Sequence, residues 1–329
     1  MNDTTQTRAT PDDLAAPALN SARPRVALGL PVFNGEKYLA RAIDSLLAQD
    51  MGDFELIISD NASTDATAEI CQDYAARDKR IRYFRQTENL GAAPNYNFVF
   101  EKSSADYFKW AAHDDLCKPR FLSVCLEAFD APRAASDEPP VLVYPRAEVI
   151  DEAGNVIGPD VSNLRTTYAN KTLRAFEIMQ GLSMVFAVFG LFDRAALAKT
   201  RLIGSFISSD YVLLLEIGLL GHIVQLDGEP QFQRRLHPQM SRLANKSNKD
   251  ILRWFDPKAR SRLTGRQRLL VEYLRSVRQS PGLGVVEKGL CSAAVLTGVA
   301  TRQARILPGR VRRSIETRLS GRTAAANGG

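Results

Sequence analysis

The sequence predicts an α/β protein built on a mostly parallel sheet with helices on both faces, followed by a basic helical C-terminal region. Three observations lead there. Strand-like and helix-like patterns alternate from residue 25 to residue 111, which is typical of parallel α/β folds. The strand-like segments are nearly unbroken apolar runs, as in sheets covered on both faces. Beyond residue 246 the apolar strands stop and arginine becomes frequent.

The first strand and helix illustrate both patterns. RVALGLPV at 25–32 is an apolar run of strand length, and a polar turn follows it. A helix is predicted over 36–49 because Leu39, Ile43 and Leu46 recur at helical spacing. One face of this helix should therefore pack on the sheet.

The alternation continues to the middle of the chain. Ser63 and Thr64 are candidate caps for the second helix, and Pro119 suits the first turn of the fourth. The predicted strands are 54–59, 81–84 and 106–111, and the predicted helices are 65–76, 91–102 and one that begins at Lys118-Pro119.

Beyond Asp115 the pattern is less regular. A hairpin is predicted at 148–157 with its turn at 152–155. The apolar run 184–192 is predicted to be a core strand. The other predicted strands are 141–144, 222–226 and 231–236, and the other predicted helices are 171–180, 210–220, 266–277 and 310–319.

Composition divides the chain into four regions. Residues 1–24 are polar and predicted to be disordered, as are residues 323–329. Residues 25–245 form the predicted α/β domain, and 246–322 form the basic helical region. From Asp250 onward there are 16 Lys and Arg against 5 Asp and Glu, although the whole chain has a net charge of only +6. The basic region is therefore expected to face an anionic partner.

Several classes of protein are disfavoured. The polar N-terminus lacks the apolar core of a secretory signal, and no run of 18 apolar residues predicts a membrane span. The 4 cysteines and 3 histidines have no metal-binding spacing, so a zinc site is not expected and the thiols are predicted to be reduced. Aromatic residues are not interleaved with the arginines of the basic region, which argues against nucleic acid as a partner.

Acidic residues follow the predicted strands where ligands usually bind. Asp60 ends the second strand, and Asp114 and Asp115 follow the strand at 106–111. In open α/β sheets the carboxyl ends of the strands form the ligand-binding edge. Asp210 begins a later helix, where the helix dipole favours a carboxylate. Each could also be a solvated turn or a helix cap, but four such carboxylates at one edge indicate a site.

Four motifs carry a resemblance to a known family. PVFNGEKYLARAIDSLLAQ, FELIISDNASTDAT, NLGAAPNYN and FKWAAHDD occur in this order. Together they resemble the family 2 glycosyltransferases, over about residues 25–241. The resemblance implies the Rossmann-like GT-A fold. It also implies an inverting transfer of sugar from a nucleotide-diphosphate sugar.

The resemblance assigns roles to particular residues. Asp210 corresponds to the general base that removes the acceptor's proton. Asp114 corresponds to the last residue of the DxD metal motif and Asp115 follows it, so both are expected to bind Mg²⁺ or Mn²⁺. The residues that correspond to the nucleotide-sugar site are Pro31, Phe33, Asn34, Glu36, Asp60, Asn61, Asn89, Gly91, Asp114, Arg234, Arg235 and His237.

Two departures from the family pattern matter. Ala112 replaces the first Asp of DxD, which puts metal affinity in question, although Mg²⁺ often uses only one or two protein carboxylates with substrate phosphates. The segment 233–237 reads QRRLH instead of a QxxRW motif. That departure favours the transfer of a single sugar over processive polymerisation.

The expected partners are a UDP-, GDP- or dTDP-sugar and a glycan or lipid-linked acceptor, in bacterial surface polysaccharide or glycolipid assembly. A cytoplasmic location is expected. Two interpretations of the basic helices are open: solvated helices that pack on the body, or a peripheral anchor on the inner membrane face. Two alternatives remain open at this point. One is a non-catalytic nucleotide-sugar or glycan-binding module, favoured by Ala112. The other is a sugar nucleotidyltransferase, disfavoured because residues 30–33 read LPVF where a Gly-rich loop would be needed.

Overall fold

The computed structural model describes residues 23–132, 138–182, 186–238, 240, 247–258 and 263–326. Its strands are β1 Val26–Val32, β2 Phe54–Asp60, β3 Ile81–Arg85, β4 Tyr107–Trp110, β5 Leu116–Cys117, β6 Pro140–Tyr144, β7 Ala147–Ile150, β8 Val156–Pro159, β9 Leu191–Asp193, β10 His222–Gln225 and β11 Phe232–Arg235. Its helices are α1 Leu39–Leu47, α2 Thr67–Arg77, α3 Ala92–Glu101, α4 Phe121–Asp130, α5 Lys171–Gly181, α6 Arg194–Leu197, α7 Ser209–Leu220, α8 Asn248–Phe255, α9 Gly265–Gln279 and α10 Val285–Ala326.

A seven-stranded sheet organises the fold, in the order β10-β6-β9-β4-β1-β2-β3. Strand β1 lies parallel to both β2 and β4, while the short strand β9 runs antiparallel between β4 and β6. Val32 pairs with Asp60, so β1 and β2 end side by side. A second sheet, in the order β5-β11-β7-β8, carries the predicted hairpin. The predicted mostly parallel sheet is confirmed.

Two hydrophobic clusters cover the two faces of the sheet. Every residue of β1 is buried, and alternate side chains enter opposite clusters: Ala27 packs in one, while Leu28 and Leu30 pack in the other. Helix α1 buries Leu39, Ile43 and Leu46, as its periodicity predicted. The unbroken apolar runs in the sequence therefore reflect a sheet that is covered on both sides.

Some predicted elements differ in detail. Ser63 and Thr64 do not cap α2, which begins at Thr67 with Ala66 as its cap residue. The run 184–192, predicted as one strand, contains a 3₁₀ helix at Phe186–Phe189 and the short strand β9, and residues 183–185 lie outside the described residues. At Gly190 a Cβ atom would lie 2.8 Å from the Val143 carbonyl oxygen. The 3₁₀ helix occupies four residues of the run, and only the short strand β9 follows it.

The C-terminal helices pack on the α/β body. Tyr273 and Val277 of α9 and Cys291 and Val295 of α10 belong to the same hydrophobic cluster as helix α7. Helix α10 is continuous, so the segment 310–319 is part of a longer helix.

The predicted disordered ends are only partly covered by the described residues. Residues 323–326 were predicted to be disordered but are helical, because the sequence there offers alanine and no helix breaker. The predicted disordered residues 1–22 and 327–329 lie outside the described ranges. Among the residues that the structure describes, no helix combines the length and the apolar character required to cross a membrane.

Candidate active site

Two loops are joined at the carboxyl edge of β1 and β2. Asn34 has a positive φ of 50°. Its amide donates to the Ser63 hydroxyl at 2.9 Å, while its side-chain oxygen accepts from the Thr64 amide at 2.9 Å. Glu36 accepts a hydrogen bond from the Ala66 amide at 3.0 Å. Asn34 and Glu36 remain solvent-exposed, and Phe33 beside them is 40% exposed. These three predicted site residues therefore border open space.

Asp60 organises this edge from within. Its carboxylate accepts from the Ser63 amide at 2.8 Å and from the Tyr83 hydroxyl at 3.0 Å, and the side chain is fully buried. These hydrogen bonds tie Asp60 to the loop that follows β2. The contact of Asp60 with the base or ribose that the resemblance implies stays a prediction. Pro31, also predicted to contact the nucleotide, is buried within β1.

Asn61 connects this edge to the loop before α3. Its side-chain amide donates to Asn89 at 2.9 Å and to the Gly91 carbonyl at 3.1 Å. Its own oxygen accepts from the Leu90 amide at 2.9 Å. Asn61 is buried, whereas Asn89 is exposed. Of this group, Asn89 is the residue that can reach a ligand.

Gly91 allows the C-terminal region to cover the same loop. It has φ 87° and ψ 169°, a conformation that essentially only glycine adopts. A Cβ atom there would lie 2.6 Å from the Phe255 carbonyl oxygen and 2.7 Å from Pro257. Lys258 also forms an ion pair with Glu88 at 3.2 Å. The end of α8 therefore rests directly on the loop that carries Asn89.

The Asp114 side chain is held by a histidine from a distant part of the sequence. His237 Nε2 lies 2.8 Å from Asp114 Oδ2. Burial opposes ionisation, but this hydrogen bond and the nearby His113 hold the pKa of Asp114 below its ordinary value. The His237 ring also packs on Tyr38, with ring centroids 4.8 Å apart. His237 is buried, and no described residue pairs with its Nδ1 atom.

Asp115 has the opposite electrostatic character. Burial, and next the negative charge of Asp114, raise its pKa. The Arg235 amide, which donates to Asp115 at 2.9 Å, and the charges of Arg234 and Lys109 partly offset this effect. The two neighbouring carboxylates therefore form a site where a cation would relieve repulsion.

Arg234 and Arg235 face different surroundings. Arg235 is buried: it donates to the Asp114 carbonyl at 2.9 Å and to the carbonyls of Asp151 and Glu152 at 3.0 Å. Its guanidinium thus holds the Asp114 loop against the β7–β8 hairpin, and only Nη2 lacks a described partner. Arg234 is half-buried, with its guanidinium 4.7 Å from the centre of the Phe186 ring. Of these two predicted diphosphate contacts, Arg234 is the accessible one.

Asp210 lies in the first turn of α7, and Ser208 is the cap residue. Burial raises the pKa of Asp210 to about 6, although the backbone amides of Tyr211 and Asp210 favour the charged form. A carboxylate with such a pKa is charged near neutral pH and yet basic enough to accept a proton. The helix dipole alone would have lowered the pKa, so burial dominates here.

Tyr96 lies within electrostatic range of three of the predicted carboxylates. Burial raises the pKa of its phenol, and the negative charges of Asp114, Asp115 and Asp210 raise it further. The Tyr96 side chain is therefore within electrostatic range of all three. Asp60 belongs to the same edge. The loop that follows it is hydrogen-bonded to the loop after β1. The loop after β1 also lies against the Asp114 loop, since a Cβ atom at Gly35 would lie 2.9 Å from the His113 ring.

Sequence reasoning missed several of these residues. Tyr38 supports His237 and donates a hydrogen bond to Glu152 at 2.9 Å, and Tyr96 lies among the carboxylates. Tyr273 of α9 is buried near Asp210, and its hydroxyl has no partner among the described residues. The first two lie inside the recognised motifs, so their position there was an available signal. Tyr273 lies outside the motifs, and its sequence gave no indication.

The fit of Asp114 and Asp115 to a metal ion depends on the other ligands at the site. Within the described ranges no three His, Cys, Asp or Glu residues form a group that could hold one. Asp114 and Asp115 offer hard oxygen ligands, and burial, followed by the neighbouring charge of Asp114, raises the pKa of Asp115. They fit Mg²⁺ or Mn²⁺ only as part of a site that substrate phosphates complete.

A cavity of about 460 Å³ lies at the other end of the sheet. Its lining includes Arg23, Arg25, Asp106 and Arg194. Arg23 and Arg25 already pair with Asp106 and Asp130. The cavity is thus separate from the carboxylates that follow β4, and its charges are largely compensated.

Comparisons with known proteins identify the family and the fold. Residues 28–201 match the model of the family described as "Glycosyl transferase family 2". An uncharacterized glycosyltransferase of Rickettsia typhi is 28% identical over 185 residues, which are 54% of this chain and 56% of that relative. Chondroitin synthase of Escherichia coli is 31% identical over 134 residues, which are 41% of this chain and 19% of the synthase. The chain thus spans only part of the length of these relatives.

The fold has solved counterparts. TarS of S. aureus (residues 1–349), crystallised with UDP-GlcNAc, matches with a TM-score of 0.59 and 15% identity over 83% of this chain and 72% of TarS. At that identity the likeness shows the fold alone, and it confirms the predicted GT-A fold. The family match covers more than half of the sequence. The chain therefore belongs to glycosyltransferase family 2.

Proposed function

We propose that this glycosyltransferase moves a single sugar from a nucleotide-diphosphate sugar to a glycan or lipid-linked acceptor, with inversion at the anomeric carbon. One observation carries the proposal. The charges of Asp114, Asp115 and Asp210, which come from two different elements, all act on the Tyr96 phenol. One reaction centre can therefore use the first two on the donor's diphosphate and the third on the acceptor.

The donor end of the site is assigned to the exposed residues at the β1–β2 edge. Phe33, Asn34, Glu36 and Asn89 provide an aromatic ring and hydrogen-bonding groups beside open space, as a base and ribose require. Asp60, Asn61 and Gly91 shape this surface from below. TarS, which shares the fold, was crystallised with UDP-GlcNAc. This supports a UDP-, GDP- or dTDP-sugar as the donor here.

The donor's diphosphate is assigned to Asp114, Asp115, Arg234 and His237. Bound Mg²⁺ or Mn²⁺ would supply positive charge against the diphosphate. Arg234 supplies charge from the chain itself, and the buried His237 ring holds the Asp114 carboxylate through Nε2. Arg235 and Tyr38 support these residues: Arg235 holds the Asp114 loop, and Tyr38 packs on the His237 ring. Negative charge that develops on the leaving oxygen is thereby stabilised.

The acceptor step is assigned to Asp210. Its carboxylate takes the proton of the acceptor hydroxyl while that oxygen bonds to the anomeric carbon. The bond from this carbon to the diphosphate breaks on the opposite side, and the nucleoside diphosphate leaves with the bonding electrons. A single displacement of this kind inverts the configuration. The proton remains on Asp210 until solvent removes it.

Donor hydrolysis tests the assignment. Purified protein is incubated with UDP-, GDP- and dTDP-sugars, with and without Mn²⁺, and released nucleoside diphosphate is measured. We expect Asp114→Asn to abolish metal-stimulated release. We expect Asp210→Asn to bind the donor normally and to fail in transfer. Retained transfer in Asp210→Asn would place the base elsewhere.

A non-catalytic nucleotide-sugar-binding module is the second candidate, because Ala112 removes one carboxylate from the expected metal motif. It makes a distinct prediction. Such a module would bind one of the donors, as measured by calorimetry, and would release no nucleoside diphosphate with any donor or metal.

A further inference from the structure

Helix α10 packs on the body through one face only. Cys291 and Val295 are fully buried, and Gln180 of α5 donates to the Gly298 carbonyl at 2.9 Å. Gly298 permits close contact, since a Cβ atom there would lie 2.5 Å from the Met179 side chain. This inward face recurs at helical spacing and accounts for the tight docking of α10 on α5.

The outward face of α10 is apolar and uncovered. Val285 and Val286 are 88% and 76% exposed, and Leu290 and Leu296 are 53% and 45% exposed. Ala293, Thr297 and Ala300 share this side of the helix and are also exposed. The stripe contains no charged residue over these turns. A soluble surface normally scatters large apolar side chains, so a continuous stripe indicates a partner.

The charge of the same helix indicates which partner. From Lys288 to Ile315 the sequence contains 6 Lys and Arg and no Asp or Glu, and the helix continues through Ala326. An uncharged face with large aliphatic residues, followed by arginines, is the pattern of a helix that lies in the interface of an anionic bilayer. No helix of the described residues could cross a bilayer, so the contact would be peripheral.

The position of α10 connects this face with the reaction centre. Arg302, also on α10, lies with its guanidinium 5.6 Å from the centre of the Tyr211 ring, and Tyr211 is the neighbour of Asp210. The charges of Arg302 and Asp210 both act on the Tyr273 phenol. One helix therefore reaches from the apolar stripe to the side of the site that contains the proposed base.

We propose that the outward face of α10 docks on an anionic lipid surface, with Val286, Leu290 and Leu296 entering the headgroup region, and that this contact holds the acceptor side of the site at the membrane. The charge of the C-terminal region predicted an anionic partner, with a membrane surface as one of two interpretations, and the structure adds the apolar face on which this proposal depends. The membrane contact stands by itself. Its consequence for a lipid-linked acceptor rests on the proposed function.

Vesicle co-sedimentation of the full chain tests the contact. We expect binding to vesicles of phosphatidylcholine mixed with phosphatidylglycerol, weaker binding to phosphatidylcholine alone, and loss of binding as salt rises. The double variant Val286→Asp, Leu290→Asp should reduce the bound fraction at least roughly tenfold. The matched control is Val156→Asp, Ile157→Asp, which adds the same charge at two residues that are 55% and 56% exposed on β8. This control should bind as the unmodified protein does.

A second measurement does not depend on how the double variant folds. The four native cysteines are buried, so Val286→Cys can be labelled selectively with a polarity-sensitive dye. We expect a blue shift on anionic vesicles from position 286 and none from Val156→Cys. Donor hydrolysis is measured separately, without vesicles. A protein that binds anionic vesicles but hydrolyses no donor would count against the proposed function and not against the membrane contact.

Three outcomes would overturn the proposal. The first is a lack of binding to anionic vesicles, and the second is unchanged binding in the double variant. The third is a dimer in analytical ultracentrifugation that the double variant converts to a monomer, which would make the stripe a contact between copies of the chain.

Discussion

His237 Nε2 lies 2.8 Å from Asp114 Oδ2, although 123 positions separate the two residues in sequence. The ring is packed against Tyr38 and lies next to the segment that contains Arg234 and Arg235. This contact orients the carboxylate that is proposed to meet the donor's diphosphate. Arg235 acts in the same direction by holding the backbone of Asp114.

The first prediction concerns this contact. His237→Ala should raise the Mn²⁺ concentration required for half-maximal donor hydrolysis by roughly 10- to 100-fold, the usual effect of losing a residue that orients a metal ligand. His237→Gln can place an N–H near the position of Nε2, so it should recover part of the loss. The Mn²⁺ concentration that gives half-maximal hydrolysis is the measurement. Equal behaviour of the two variants would mean that the ring acts only as packing.

The second prediction concerns pH. Burial raises the pKa of Asp210 to about 6, so the group is charged above that pH and protonated below it. A protonated carboxyl cannot accept the acceptor's proton, and transfer should therefore fall about tenfold per pH unit below this value. The rate of transfer at saturating donor, followed from pH 7 downward, is the measurement.

Donor affinity provides the control for the pH profile. The affinity for the donor should stay constant as Asp210 becomes protonated, because Asp210 is assigned to the acceptor. Calorimetry with nucleoside diphosphate over the same pH range separates the two effects. A transfer rate that does not fall below the pKa of Asp210 would argue against Asp210 as the base.

The third prediction separates two neighbouring arginines. Arg235→Ala removes a buried guanidinium and its hydrogen bonds to three backbone carbonyls, so it should lower the free energy of unfolding by roughly 1–3 kcal/mol or more. Arg234→Ala should leave stability almost unchanged and should raise the KM for the donor. Urea unfolding and donor kinetics of both variants are the measurements. A loss of stability in Arg234→Ala, with normal stability and a raised KM in Arg235→Ala, would contradict the structure.

The fourth prediction concerns Gly91. Its backbone conformation is essentially limited to glycine, and a Cβ atom would meet Phe255 and Pro257. Gly91→Ala should therefore cost about 1–3 kcal/mol of stability and weaken donor binding. Gly52→Ala is the matched control, since nothing lies within 4 Å of a Cβ atom there. Thermal unfolding and nucleotide binding of both variants test this, and equal effects would rule out a special role for Gly91.

Much of the architecture was readable along the chain. The apolar runs 25–32 and 54–59 predicted strands buried on both faces, and helical spacing placed Leu39, Ile43 and Leu46 on the core side of α1, as observed. These features depend on periodicity within a dozen residues, which a sequence displays directly. The order of motifs also predicted the family and the fold, and both are confirmed.

The sequence by itself thus determined the fold class, the family and the carboxylates that follow the strands. Only the tertiary structure decided which of these side chains remain accessible. Asp60 and Arg235 bear charges that suggested ligand contacts, yet both are buried by partners distant in sequence. Tyr96 and Tyr273 gained significance because folding brought acidic residues near them. Burial and long-range pairing depend on what the rest of the chain places around a residue, and local sequence does not contain that information.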